Sequence, residues 1–270
     1  MRGRGLLRSG RSWLRDSIAA LARRRFASGR IPLRVVAGTP GHDGLPVLMC
    51  TWARIERLAE TIAELDEQRG VDRPIDLYVW NNRRDRHDDV VAIATAAARS
   101  GSLRSISIVR SPVNLSSVAR FYVARRLVLD GATGPFVVVD DDLRLPDDLA
   151  RVALEAYAPR SAAGFWAWTV DGPYWARTRA EVGDRVDHLG PAGMVADLEI
   201  LRDRAFFDDL PVDDWSMDDV WLSHWMLAHG MPMRRLPIDI DFLEDEHNMY
   251  PTLVDRKVDF HDRLRRERER

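Results

Sequence analysis

The sequence predicts an α/β fold in which a central, mostly parallel sheet is flanked by helices. Two observations carry that reading. Short apolar runs alternate with helix-period segments from Pro46 to Val139, and several of the runs are apolar at every position, as strands buried on both faces are. The absence of an internal repeat or a long Gly/Ser or Pro linker makes one domain the economical arrangement.

The elements follow in order. Val47–Cys50 reads as a strand, then Ile55, Leu58, Ile62 and Leu65 recur at helical spacing until Gly70. Ile75–Trp80 is a second strand, closed by Asn81-Asn82-Arg83-Arg84, and a helix over Val90–Ala98 ends before Gly101. Leu103–Val109 is a third strand, Leu115–Leu129 a helix, and Phe136–Val139 a fourth strand. Further on, Ala162–Thr169 reads as one strand, 171–190 as a mobile loop, and Met233–Phe242 as strand-like. In such sheets ligands bind beyond the carboxyl ends of the strands.

Composition bounds the function. The chain has 270 residues and a net charge of −2, so it has no bulk attraction for nucleic acid. A single cysteine, Cys50, excludes an intramolecular disulfide and a thiolate metal cluster, and no apolar stretch approaches a membrane span. The first thirty residues hold nine arginines and one acid, Asp16, interspersed with Leu6, Leu7, Trp13, Leu14, Ile18, Leu21 and Phe26. That pattern fits either a basic amphipathic helix on anionic lipid or a frayed Arg-rich extension. The expected division is a basic extension over 1–40, the main domain over 45–255, and a charged tail over 256–270.

The most informative segment is Val137-Val138-Val139-Asp140-Asp141-Asp142. A buried strand delivers three consecutive acids to the functional edge. Adjacent carboxylates raise one another's pKa unless a cation sits among them, and Mg²⁺ or Mn²⁺ shared with substrate phosphates resolves this. The bland alternative is a solvated acidic turn before the next helix.

This segment resembles the Asp-X-Asp motif of GT-A glycosyltransferases, in particular the family 2-like group. Met49-Cys50-Thr51-Trp52-Ala53-Arg54 resembles that group's first strand and donor-binding turn, and Asn81-Asn82 stands where it reads the nucleotide. Val113-Asn114-Leu115 with Ala119-Arg120 resembles its Asn-x-Gly…Ala-Arg segment, with Ser116 and Ser117 in place of glycines. Gly190–Val195 resembles the turn before its acceptor site.

The resemblance implies a Rossmann-like GT-A domain, metal-dependent and taking a nucleotide-diphosphate sugar as donor. It places Thr51, Arg54, Asn81, Asn82, Arg120, Asp140 and Asp141 at the donor. It places Asp142, Asp140 and His247 at Mn²⁺ or Mg²⁺, and Gly193 near a saccharide or other hydroxyl acceptor; Trp215, an aromatic in the loop before Asp218-Asp219, is placed to stack on an acceptor sugar. Asp213-Asp214-Trp215-Ser216-Met217-Asp218-Asp219 resembles the acid pair opening a helix in inverting members. There Asp219, or else Asp218, would take the acceptor's proton. The competing reading is a capping box, with Ser216 as N-cap and Asp219 reaching back.

Two rivals stand beside the transferase. A nucleotidyltransferase would carry an early Gly-rich loop that the first strand here lacks. A non-catalytic surface or scaffold module would keep the fold without the chemistry. The expected setting is the cytoplasm, peripheral at the inner face of the membrane through the basic N-terminus.

Overall fold

The computed structural model describes residues 17–243 and 245–269. Its centre is an eight-stranded sheet with helices on both faces. The strands are β1 (Leu33–Ala37), β2 (Leu45–Thr51), β3 (Ile75–Asn81), β4 (Leu103–Arg110), β5 (Pro135–Val139), β7 (Ala162–Gly164), β11 (Met194–Asp197) and β12 (Met233–Arg235). Their order across the sheet is β1-β4-β3-β2-β5-β11-β7-β12. Strands β4, β3, β2 and β5 run parallel, as do β7 and β12. Only β1 and β11 oppose their neighbours. This is the α/β, Rossmann-like arrangement of a central, mostly parallel sheet flanked by helices that the sequence leads one to expect.

Strand alternation explains why the runs are apolar throughout. Leu48, Tyr78, Trp80, Phe136 and Val138 face one core, against α1 (residues 17–27), α4 (Ala119–Leu129) and α7 (Asp218–Ala228). Val47, Met49, Leu77, Val79, Val137 and Val139 face the other, against α2 (Leu58–Asp66), α3 (His87–Ala96) and α5 (Leu149–Ala156). With helices on both faces, neither set of side chains meets water.

The chain steps outward from β2 through β3 to β4, then crosses back through α4 to lay β5 on the other side of β2. Strand order reverses between β2 and β5, which opens a crevice beyond their carboxyl ends. Asp140, Asp141 and Asp142 leave β5 at that point.

Several expectations need correction. Residues 17–40 are not an extension. Ala19, Ala22 and Phe26 stack on one face of α1 and are buried, while β1 pairs with β4. Residues 1–16, where most of the expected basic segment falls, lie outside the described residues. Ala162–Thr169 is two strands, because at Phe165-Trp166 the chain leaves the main sheet for a three-stranded one. There β8 (Ala167–Val170) lies between β9 (Arg177–Arg179) and β10 (His188–Leu189). The segment expected as a mobile loop supplies β9 and β10, fastened by Asp187, whose carboxylate accepts the Val170 N–H at 2.9 Å.

Met233–Phe242 breaks into β12 and β13 (Asp241–Phe242); β13 pairs with β6 (Leu143–Arg144), just past the acidic triplet. The expected tail is part of α8 (Tyr250–Arg268), which buries Phe260 and Leu264 against the α1/α4/α7 core. No helix among the described residues is long and apolar enough to cross a membrane.

Candidate active site

The acidic triplet is partly open to solvent, with side-chain exposures of 27% for Asp140, 16% for Asp141 and 26% for Asp142. Each acid has a different set of partners. Asp140 is bonded by the guanidinium of Arg120. Asp141 accepts from the Trp52 N–H at 3.4 Å, lies 3.5 Å from the Thr51 hydroxyl, and meets Arg54 at 3.3 Å. Asp142 has Arg54 3.8 Å from its Oδ2, and its Oδ1 is buried without a hydrogen-bond partner among the described residues.

Burial, then the neighbouring charges of Asp140 and Asp141, push the Asp142 carboxyl up to about 7. The same two causes, burial and Asp140, raise Asp141. The local charge is unbalanced: Asp140, Asp141, Asp142, Asp218 and Asp245 share Arg54 and Arg120. An orphaned carboxylate oxygen in a cation-poor crevice fits a hard divalent ion. Among the described residues no three His, Cys, Asp or Glu side chains form a metal cage. A cation here would complete its shell with substrate phosphates and water, as Mg²⁺-type sites do.

Arg120 is neither a surface arginine nor open to solvent. At 2% exposure it spans the interior, bonding Asp140 on one side and lying 3.3 Å from Asp218 on the other, while its Nε donates to the Ser117 carbonyl at 3.0 Å. The N-terminal half of α4 is buried all round, which forces this charge inward onto acids. The two acidic motifs, distant in sequence, are thereby joined.

The acid pair opening α7 is not a capping box. Met217 is the N-cap, with no side-chain cap, and Asp219 does not reach back. Asp218 and Asp219 point to different partners. Asp218 accepts from the Ser117 hydroxyl at 2.5 Å, and burial raises its carboxyl despite Arg120. Burial alone would raise Asp219 too. However, Lys257 of α8, and after it His188 of β10, outweigh burial and hold it below the usual carboxylate range. Lys257 bonds the Asp219 carboxylate directly, and His188 Nε2 lies 3.8 Å away. Both side chains are closed from solvent, at 4% and 5% exposure, unlike the triplet.

The remaining expected residues divide. Gly193 adopts φ +67, its N–H donates to the Val138 carbonyl beside the triplet, and an added Cβ would meet Ile240 at 2.1 Å. Asn81 and Asn82 are at the crevice but are buried and occupied. Asn81 accepts from the Arg83 N–H at 2.8 Å, and Asn82 accepts from the Leu115 N–H and donates to the Ser116 carbonyl. They hold the loops that flank the site, which leaves little of either amide for a nucleotide.

His247 is exposed, and its N–H donates to Asp245, whose carboxylate grips Arg54 at 2.6 and 2.8 Å. That segment therefore lies beside the triplet through Arg54. Trp215, expected at the acceptor, is partly buried against the core with Arg23 of α1 over its ring at 4.4 Å.

Three further residues, Trp52, Lys257 and His188, stand at these acids. Trp52, 42% exposed beside Asp141, was legible as an aromatic in the turn after β2. Lys257 and His188 had no local signal, since only tertiary packing brings them to Asp219.

No protein-family model matches the chain, and no curated protein does. Among solved structures, the crystal structure of S. aureus TarS 1–349 in complex with UDP is similar at 12% identity and a TM-score of 0.48. The match covers 73% of this chain and 58% of that one, so the chain spans less than two thirds of its length.

Proposed function

We propose that the chain is a metal-dependent glycosyltransferase that uses a nucleotide-diphosphate sugar and passes the sugar to a hydroxyl acceptor. The observation that carries this reading is the open, cation-poor triplet at the strand-order reversal, with one oxygen of Asp142 left without a partner. Asp142 and Asp140 would hold Mn²⁺ or Mg²⁺, and a bound cation neutralises charge on a departing diphosphate. Thr51, Trp52 and Arg54 form the turn against Asp141 that would face the donor.

Transfer with inversion needs a carboxylate to accept the acceptor's hydroxyl proton. Asp219 is the candidate, with Asp218 beside it. Because the triplet is open and the α7 acids are covered, donor binding precedes acceptor binding in this reading. Asp142→Ala is then expected to lose cation-dependent nucleotide binding, while Asp219→Asn keeps binding and loses turnover.

A second reading is favoured by the burial of Asp218 and Asp219 in ion pairs. In it the chain binds a nucleotide sugar without transferring it. Donor binding with no transfer or hydrolysis of any bound nucleotide sugar would favour it.

A further inference from the structure

We propose that the outer face of α1 docks on an anionic lipid surface. The inference is independent of the enzymatic reading. The inward face of this helix is fully used: Ala19, Ala22 and Phe26 are buried, and the Phe26 ring lies edge-on to Trp80 at 5.2 Å. Arg23 ties the helix to the body by donating to the carbonyls of Phe207 and Leu210 at 3.0 and 2.8 Å. The outward face is different in kind. Leu21 is 72% exposed and Ile18 39% exposed, with Arg24 and Arg25 exposed beside them.

The upstream sequence continues the same pattern. Leu14 stands four residues before Ile18 and Leu7 seven before Leu14, among Arg2, Arg4, Arg8, Arg11 and Arg15. Apolar residues at helical spacing with flanking arginines are what an interfacial helix presents to acyl chains and anionic headgroups. The arginines select an anionic partner, and the exposed leucine selects lipid over nucleic acid, whose phosphates offer it nothing. Because α1 is anchored through Arg23, docking would hold the whole domain at the surface.

The test is co-sedimentation of the full chain with phosphatidylcholine vesicles and with vesicles also containing phosphatidylglycerol. Binding is expected only to the anionic vesicles. It should be lost between about 0.1 M and about 1 M salt, as the Debye length falls from ~10 to ~3 Å. Leu21→Glu should weaken binding at least tenfold and Arg24→Glu at least about fivefold, whereas Val182→Glu, 62% exposed elsewhere, should leave it unchanged. Leu21 and Arg24 are both exposed, so unchanged melting curves would show the variants folded. Equal binding to neutral vesicles, no binding to either, or full binding by Leu21→Glu would overturn the proposal. Preference for a DNA duplex over anionic vesicles at equal salt would also overturn it and assign the face to nucleic acid.

Discussion

Lys257 of α8 bonds the carboxylate of Asp219 in the first turn of α7, inside a region closed to solvent. The pair fastens the C-terminal helix to the acid proposed as base. Lys257→Met leaves that acid buried without its ion-pair partner. The expected loss is about 3–5 kcal/mol, as for a buried pair broken on one side, with partial recovery in Lys257→Arg. The folded-state pKa of Asp219 lies below its ordinary value, so the pair's contribution is complete above the unfolded-state pKa. It is lost as pH falls through the folded-state value. Urea unfolding at pH 7 and at pH 3 measures both effects, and Lys257→Met should narrow the difference between them.

Asp142 behaves in the opposite sense. Its carboxyl is raised to about 7, so the folded chain loses stability as pH rises from the ordinary carboxylate range through 7. A cation that prefers the ionised form restores what is lost. Mn²⁺ should therefore raise the melting midpoint more at pH 8 than at pH 6, and not in Asp142→Ala. Thermal melts of both proteins with and without Mn²⁺ decide this. Equal shifts at the two pH values would remove Asp142 from the cation site.

His188 is buried, its Nδ1 has no hydrogen-bond partner among the described residues, and burial first of all pushes it down to about 3. The unfolded chain binds that proton near pH 6.5, so stability is full above that value and falls as pH drops towards 3. Between pH 6.5 and 5 the loss is about 2 kcal/mol from this group. His188→Gln should flatten that part of the pH–stability curve in denaturant titrations.

Ser116 holds φ +59, one of the few non-glycine residues here with positive φ. It stands where the glycosyltransferase segment that this stretch resembles has glycine. Ser116→Gly should be neutral or stabilise by up to about 1 kcal/mol, and Ser116→Val should destabilise by at least that much. Chemical denaturation of the two variants checks the sign.

The order of strands and helices from β2 to β5 was legible because each of these strands is buried on both faces and each helix repeats an apolar stripe. The triplet was legible for the same reason: a four-residue apolar run ending in three acids allows few placements. After Asp142 the signal weakens. Strands of two to four residues carry too few positions to show a period, so the switch of sheet at Phe165-Trp166 was not visible. In α1, Ile18 and Leu21 share the apolar pattern with Phe26, yet only Phe26 is buried, and spacing alone does not say which stripe faces the core. The α8 segment reads as charged because Phe260 and Leu264 are sparse among Arg and Asp. The Arg120 bridge and the Lys257 contact join residues from separate elements, and no local pattern encodes such a meeting.

In the proposed function, Asp142 and its neighbours bind a nucleotide diphosphate through a divalent cation. Calorimetric titration of UDP and GDP and their sugar conjugates, with and without Mn²⁺, tests it most directly. One nucleotide should bind only with the cation present, Asp142→Ala should abolish this binding, and Asp219→Asn should preserve it. Absence of binding for every nucleotide with Mn²⁺ and with Mg²⁺, or undiminished binding in Asp142→Ala, would contradict it.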